Sequence, residues 1–434
     1  MAKKGTFNGP FFNSFAARIH GTPIRFGLLV GTEAEDDRLR DLVFAAPTPP
    51  RPGEDGEPTP PPKDIVALAK SKGSADFAAW ARQHADALRK LLPGGLEPCG
   101  CFAVAPEADA KDLAPMLVTL LKGVSEPLVM TVDERTRKQS FWQLSGGAKP
   151  AMRPAQMKAD PHKEALLLWT STSVDVLVPQ PTPREDDAAD AAADALVRDV
   201  EKGVGEALAS CSVGVEAAEG APLCLVDFGS EAAVSTAVPK DCQEMRVAFL
   251  RSGSGPVSVP NPEGRPCMRQ RCLLVGAAVV LRRTAELRHA VSTLRKALAA
   301  CAGQRLQLAL DEAEGGAKGR LQLPWRALCR PEGVDLPFWC GDYCMPDEDL
   351  GAARERLGQL LGVGESSFEA APEHLDERAQ FGRDHRGTYG PPEPEEPPAG
   401  AKKPGGGLLL PAAGCAVAVA AVLLAVLVPM VLQS

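Results

Sequence analysis

Six histidines and twelve cysteines are the residues of this 434-residue chain best suited to catalysis or metal binding. A zinc hydrolase needs two histidines at short fixed spacing, as in HxH or HExxH, so that both imidazoles reach one ion. His20, His84, His162, His289, His374 and His385 never come that close in sequence. Cys99-x-Cys101 and Cys340-x3-Cys344 together offer four thiols, but neither has the CxxC spacing of a zinc site. Inside strands such cysteines serve as small apolar side chains. A cysteine nucleophile with a distant histidine stays open, though so many of both make such a pair easy to compose. No GxSxG, P-loop or GxGxxG opens a helix after a strand. Gly405-Gly406-Gly407 adjoins the apolar tail and reads as a hinge. Asp347, Glu348 and Asp349, with Asp342 nearby, fit either a cation site or a helix start whose acids offset the helix dipole. The expectation is therefore no catalytic residue, no cofactor and no metal ligand.

Composition narrows the class further. Hydrophobic residues make up 44% and charged residues 24%, as in folded proteins. A net charge of −8 without a long basic run argues against a nucleic-acid partner. Residues 1–24 contain no apolar segment of signal-peptide length, so the cysteines are expected to face a reducing compartment. Lys3, Lys4 and Arg18, with no acid before Glu33, also fit an organellar transit peptide; the plainer reading is a segment leading into the first strand.

From Leu408 to Leu432 the chain carries no charge and holds seven leucines and six valines. As a helix this stretch would be about 37 Å long, against a hydrocarbon core of about 30 Å. Leu408, Leu409, Leu410, Val417, Val419, Val422, Leu423, Leu424, Val426, Leu427 and Val428 are its anchoring side chains. Pro411 and Pro429 leave a short uninterrupted stretch, which suits a thin membrane such as the endoplasmic reticulum's. Lys402 and Lys403 precede the span, so the positive-inside rule keeps the bulk of the chain cytosolic and the C-terminus lumenal.

Ahead of the tail the pattern is α/β. Phe26–Thr32 and Leu39–Ala46 read as a hairpin, and Pro47–Pro62 as an exposed loop. A helix is expected from Ser74 to about Leu92, with Phe77, Trp80, Ala81, His84, Leu88, Leu91 and Leu92 on one face. Leu96–Ala105 is a buried strand. A helix over Asp109–Lys122 starts irregularly at Pro115. Leu128–Val132, Phe141–Leu144 and Ala165–Val178 complete a first domain over residues 1–178. The second domain, 179–361, is expected to hold an alanine-rich helix over Ala188–Ala209 and strands at Leu223–Phe228, Met245–Leu250 and Cys272–Leu281. A helix over Glu286–Cys301 turns Leu287, Ala290, Leu294, Ala297 and Leu298 inward and Arg288, Arg295 and Lys296 outward. Leu321–Leu328 pairs with Val334–Tyr343, and a helix over Asp347–Leu361 closes the domain. Residues 362–407 lack periodicity and read as a disordered tether before the 408–432 span.

Several blocks in order resemble the odorant response abnormal protein 4 (ODR-4-like) family. They are Gly27-Leu28-Leu29-Val30-Gly31 with Leu42–Pro50; His84 followed by Leu91-Leu92-Pro93-Gly94-Gly95-Leu96 and Gly100-Cys101-Phe102; Arg153-Pro154-Ala155; and Leu323-Pro324-Trp325-Arg326 with Cys340-Gly341-Asp342-Tyr343. Residues 180–265 depart from the family in composition, and Gly341 interrupts its CDY-like block. The resemblance implies an endoplasmic-reticulum protein that helps multispanning receptors fold, leave or localise. It also implies an adaptor for a protease of a ubiquitin-fold modifier. The N-terminal half further resembles the MPN fold of the JAMM metalloproteases, in which the strand at Leu96–Ala105 would deliver an HxH zinc motif. Phe102, Ala103, Val104 and Ala105 fill that stretch here, which implies a non-catalytic relative, and MPN relatives commonly pair with one another. The implied partners are the bilayer, polytopic membrane clients, and a modifier protease or another MPN-like protein as heterodimer partner. A membrane-tethered hydrolase of a ubiquitin-like modifier is the alternative.

Overall fold

The computed structural model describes residues 4–32, 40–52, 58–59, 62–146, 150–160, 165–179, 188–216, 224–226, 244–250, 257–258, 267–281, 286–314, 323–331, 339–345, 347–362 and 368–370. All belong to one compact unit within Met1–Asp384. Within the expected tether 362–407, Gly362 ends the last helix and Phe368–Ala370 is a strand, so its start is ordered; its other residues and the span Leu408–Leu432, with Lys402 and Lys403, lie outside the described residues. Among the described residues no helix is long and apolar enough to cross a membrane.

The fold is mixed α/β. Its first sheet uses β1 (Lys4–Asn8), β2 (Phe26–Thr32), β3 (Leu42–Pro47), β6 (Leu96–Val104), β7 (Leu128–Val132), β8 (Gln139–Ser145), β9 (Ala151–Pro154) and β10 (Gln156–Asp160). The short pair β4 (Arg51–Pro52) and β5 (Pro58–Thr59) stands apart, within the stretch expected to be loop. Strand order is β10-β1-β3-β2-β6-β7-β8-β9. β9 and β10 therefore occupy opposite edges although only Ala155 separates them, which requires the sheet to curl. The Ala155 N–H holds this bend by donating to the Phe141 carbonyl at 2.9 Å.

Helix α1 (Gly9–Ile19) packs into that curl, within the stretch read from sequence only as a segment leading into the first strand. Asn8 caps it by accepting from the Phe11 N–H, and Pro10 sits in its first turn, where a missing N–H costs nothing. It buries Phe11, Phe12 and Phe15. Phe15 meets Phe102 edge-on, with ring centres 4.8 Å apart. Helix α2 (Ile65–Ala69) is one short turn capped by Asp64. Helix α3 (Ser74–Leu91) buries Ala81, His84, Leu88 and Leu91 as the periodicity predicts. After β6 the chain runs through a 3-10 segment, Glu107–Leu113, into α4 (Ala114–Leu120), the irregular start expected at Pro115.

The second sheet is built on β11 (Ala165–Pro179), with β12 (Ser212–Glu216), β13 (Cys224–Val226), β14 (Glu244–Leu250), β15 (Val257–Ser258) and β16 (Cys267–Leu281). β11 was expected to finish the first domain. It lies instead at the heart of the second sheet, antiparallel to β16 over its whole length and parallel to β14 and β15. The sheet boundary thus falls between Asp160 and Ala165, not at residue 178. A 15-residue apolar strand needs a partner of like length, and β16 supplies it from a hundred residues downstream. Helix α5 (Ala188–Ala209) crosses a long helix, Leu287–Glu314. That helix runs past the expected end at Cys301 and through Gly303, where the Glu201 side chain of α5 fills the space a Cβ would take. Arg295, expected to point outward, lies half-buried with its guanidinium 5.7 Å from the Phe249 ring centre.

A third, small sheet joins β17 (Trp325–Pro331), β18 (Cys340–Cys344) and β19 (Phe368–Ala370). The last helix, Leu350–Leu361, packs on β17 and β18 and reaches α3 and β3.

Candidate functional site

The end of β6 is where a metal-dependent hydrolase of the resembled fold would present its ligands. Phe102, Ala103 and Ala105 are buried there. The Val104 N–H donates to the Arg25 carbonyl at 2.9 Å and the Ala105 N–H to the Val132 carbonyl at 3.1 Å, so the backbone is committed to the sheet. None of the four side chains from Phe102 to Ala105 has a lone pair for zinc, and the position does not fit the ion. Phe102 packs so close to β2 that a Cβ on Gly27 would fall 2.3 Å from its ring. The glycine and the phenylalanine of two resembling blocks thus meet as packing partners, with Leu28 and Leu29 wholly buried beside them. Gly31 is likewise crowded by the Asp41 carbonyl and the Cys99 sulfur.

Cys99, Cys101, Cys301, Cys329, Cys340 and Cys344 are buried thiols outside any disulfide. Burial pushes the Cys99, Cys340 and Cys344 thiols up to about 12, Cys329 to about 11, and Cys101 higher still. Such thiols are poor nucleophiles at neutral pH. Cys99-x-Cys101 lies in the first sheet and Cys340-x3-Cys344 in the third. Among the described residues no group of His, Cys, Asp and Glu is arranged to hold a metal ion.

What the remaining block residues do is join the two halves. After α3, Leu92 and Leu96 are buried, and Pro93-Gly94-Gly95 turns against the second sheet. The Gly94 N–H donates to the Ala277 carbonyl at 2.9 Å, and the Val279 N–H donates to the Gly94 carbonyl at 2.8 Å. One residue of the first half thereby extends the β16 ladder. A Cβ on Gly94 would lie 2.9 Å from Ala297 Cβ, and one on Gly95, whose φ is +81°, would lie 2.5 Å from the Val279 carbonyl oxygen. Only glycine satisfies both the close approach and the left-handed backbone.

His84 makes the second joint. Its Nε2 lies 2.8 Å from the Leu360 carbonyl oxygen of the last helix. A carbonyl can only accept, so Nε2 carries the proton and Nδ1 is left as a buried acceptor. Nδ1 has no hydrogen-bond partner among the described residues. Burial lowers the imidazole pKa from 6.5 to about 4, despite the Leu360 carbonyl. His84 is therefore a neutral strut.

The third joint gathers around Arg356, which sequence reasoning did not single out. Its Nε donates to Asp342 at 2.6 Å, its Nη1 to Glu348 at 2.7 Å, and its Nη2 to the Tyr343 carbonyl at 2.8 Å. Burial raises the Asp342 pKa more than Arg356 lowers it. Asp349 caps the last helix by accepting from the Ala352 N–H. The acidic run is thus a helix start joined to an ion-pair network. Arg40 is a further residue that sequence did not mark. Buried at 4% exposure, it donates to the Thr32 and Ser125 carbonyls and pairs with Glu97. Pro324 and Arg326 are buried and Leu323 packs half-buried against the second sheet's core. Arg153 and Pro154, by contrast, are exposed on β9 and join no common site.

No family model matches the sequence, and no curated protein matches it. Among solved structures, one match is the crystal structure of UfSP from C. elegans, with a TM-score of 0.39 and 10% identity. The alignment covers 83% of this chain and 56% of that one, so this chain spans little more than half the length of the structure it matches.

Proposed function

We propose that this chain is a non-catalytic docking protein, held by Leu408–Leu432 at the endoplasmic-reticulum membrane with its folded body in the cytosol. There it assists multispanning receptors in folding, leaving or localising, and brings a protease of a ubiquitin-fold modifier to the membrane. The modifier protease, or another MPN-like protein, is its heterodimer partner. One observation carries the non-catalytic part: the stretch that would deliver zinc ligands holds Phe102, Ala103 and Ala105, buried in the core, and Val104, half-buried against it. The order of the resembling blocks supports the adaptor role, and the uncharged run after Lys402 and Lys403 supports the address. Affinity capture of the full chain from native membranes tests the reading. The capture should contain a modifier protease and polytopic clients, and deleting residues 408–434 should move the chain to the soluble fraction and lose the clients. A capture with neither class of partner, or a deleted chain that still sediments with membranes, would contradict it.

A further inference from the structure

The β17–β18 hairpin sets two thiols face to face. Cys329 and Cys340 are register partners in an antiparallel pair, so they share a face of the sheet. Directly opposite Cβ atoms in such a pair lie about 4.5–5.5 Å apart. A disulfide needs about 3.5–4.5 Å, a change that a small side-chain and backbone adjustment covers. Both thiols are free and both side chains fully buried. Cys344 is four residues further along β18, opposite Trp325, and is not a register partner of either.

The helix Leu350–Leu361 packs on both strands. Arg354, on that helix, opposes the rise that burial imposes on the Cys329 pKa. Cys340 has Arg326 nearby, but its acidity is the lower of the two. Cys329 is thus the better nucleophile of the pair once a reagent reaches it, and Cys340 is placed to resolve what forms there.

We propose that Cys329 and Cys340 form a redox couple beneath the last helix, which closes to a disulfide when a small-molecule disulfide such as oxidised glutathione gains access. The Cys329 thiol gives up its proton and attacks one glutathione sulfur. One glutathione leaves as thiolate and is protonated, and a mixed disulfide remains. The Cys340 thiolate then attacks the Cys329 sulfur and expels the second glutathione. Two protein thiols lose two electrons and two protons, and one oxidised glutathione gains them. The bond would staple the hairpin and remove the acidic thiol that faces the Arg354 charge, so oxidation weakens one electrostatic tie between the hairpin and the last helix.

The test is a thiol map of the full chain incubated with oxidised glutathione in mildly alkaline buffer, quenched with acid, alkylated and digested. The expected result is a linked peptide pair, Cys329 to Cys340, two hydrogens lighter than the reduced peptides. Its rate should rise about tenfold per pH unit, as thiolate attack requires. The Cys340→Ala chain should stop at a persistent glutathione adduct on Cys329. A link from Cys329 to another cysteine, or a 329–340 link that appears only in concentrated guanidinium, overturns the proposal. The wild-type map decides by itself if the alanine variant does not fold.

Discussion

A neutral histidine in a core makes stability depend on pH. His84 has its pKa lowered to about 4 by burial, whereas in the unfolded chain it titrates near 6.5. The unfolded state therefore binds the proton first as pH falls. The stability His84 allows is fully present above pH 6.5 and is lost as pH falls through about 4. Between pH 7 and 4.5 the loss is on the order of 2 kcal/mol from this residue. Denaturant midpoints of wild type and His84→Gln at the two pH values should differ by that much more for wild type. Equal losses in both chains would remove His84 from the account. The sequence placed His84 on the buried face of its helix, and that was legible from helical spacing. Its partner was not, because the Leu360 carbonyl lies 276 residues away and carbonyl positions leave no mark on spacing.

Between elements the glycine turn after α3 matters most. Gly95→Ala puts a Cβ at 2.5 Å from the Val279 carbonyl at a φ of +81°. Gly123→Ala is the control: its φ is +91°, but nothing lies within 4 Å of the added Cβ. Both carry the left-handed backbone cost of about 1 kcal/mol, and only Gly95→Ala adds a clash with the second half, about 1–3 kcal/mol more. Equal midpoint shifts for the two variants would mean that this joint contributes nothing. Elements fixed by their own periodicity were legible: α5 runs over Ala188–Ala209, as its alanine-rich amphipathic pattern predicts. Helix α1 was missed although Asn8 and Pro10 mark its start and Phe11, Phe12, Phe15 and Ile19 lie on its buried face. β11 was assigned to the wrong sheet because strand partners are chosen at long range, and its run reads equally well beside either half.

For the whole molecule, residues from several resembling blocks do one common thing. Gly27 and Gly31 let neighbouring strands of the first sheet lie close, Gly94 and His84 tie the first half to β16 and the last helix, and Asp342 and the Tyr343 carbonyl anchor Arg356. They converge on joints within one body. The candidate site was legible only as an absence of ligands on β6. The joints that occupy the block residues are tertiary contacts, and one sequence does not display them. The most direct test of the central claim is turnover of a ubiquitin-fold-modifier conjugate by the purified full chain in detergent. The account predicts no turnover by the chain alone, and cleavage at the membrane once a separate modifier protease is added. Turnover by the chain alone, abolished by a chelator or a thiol blocker, would contradict it.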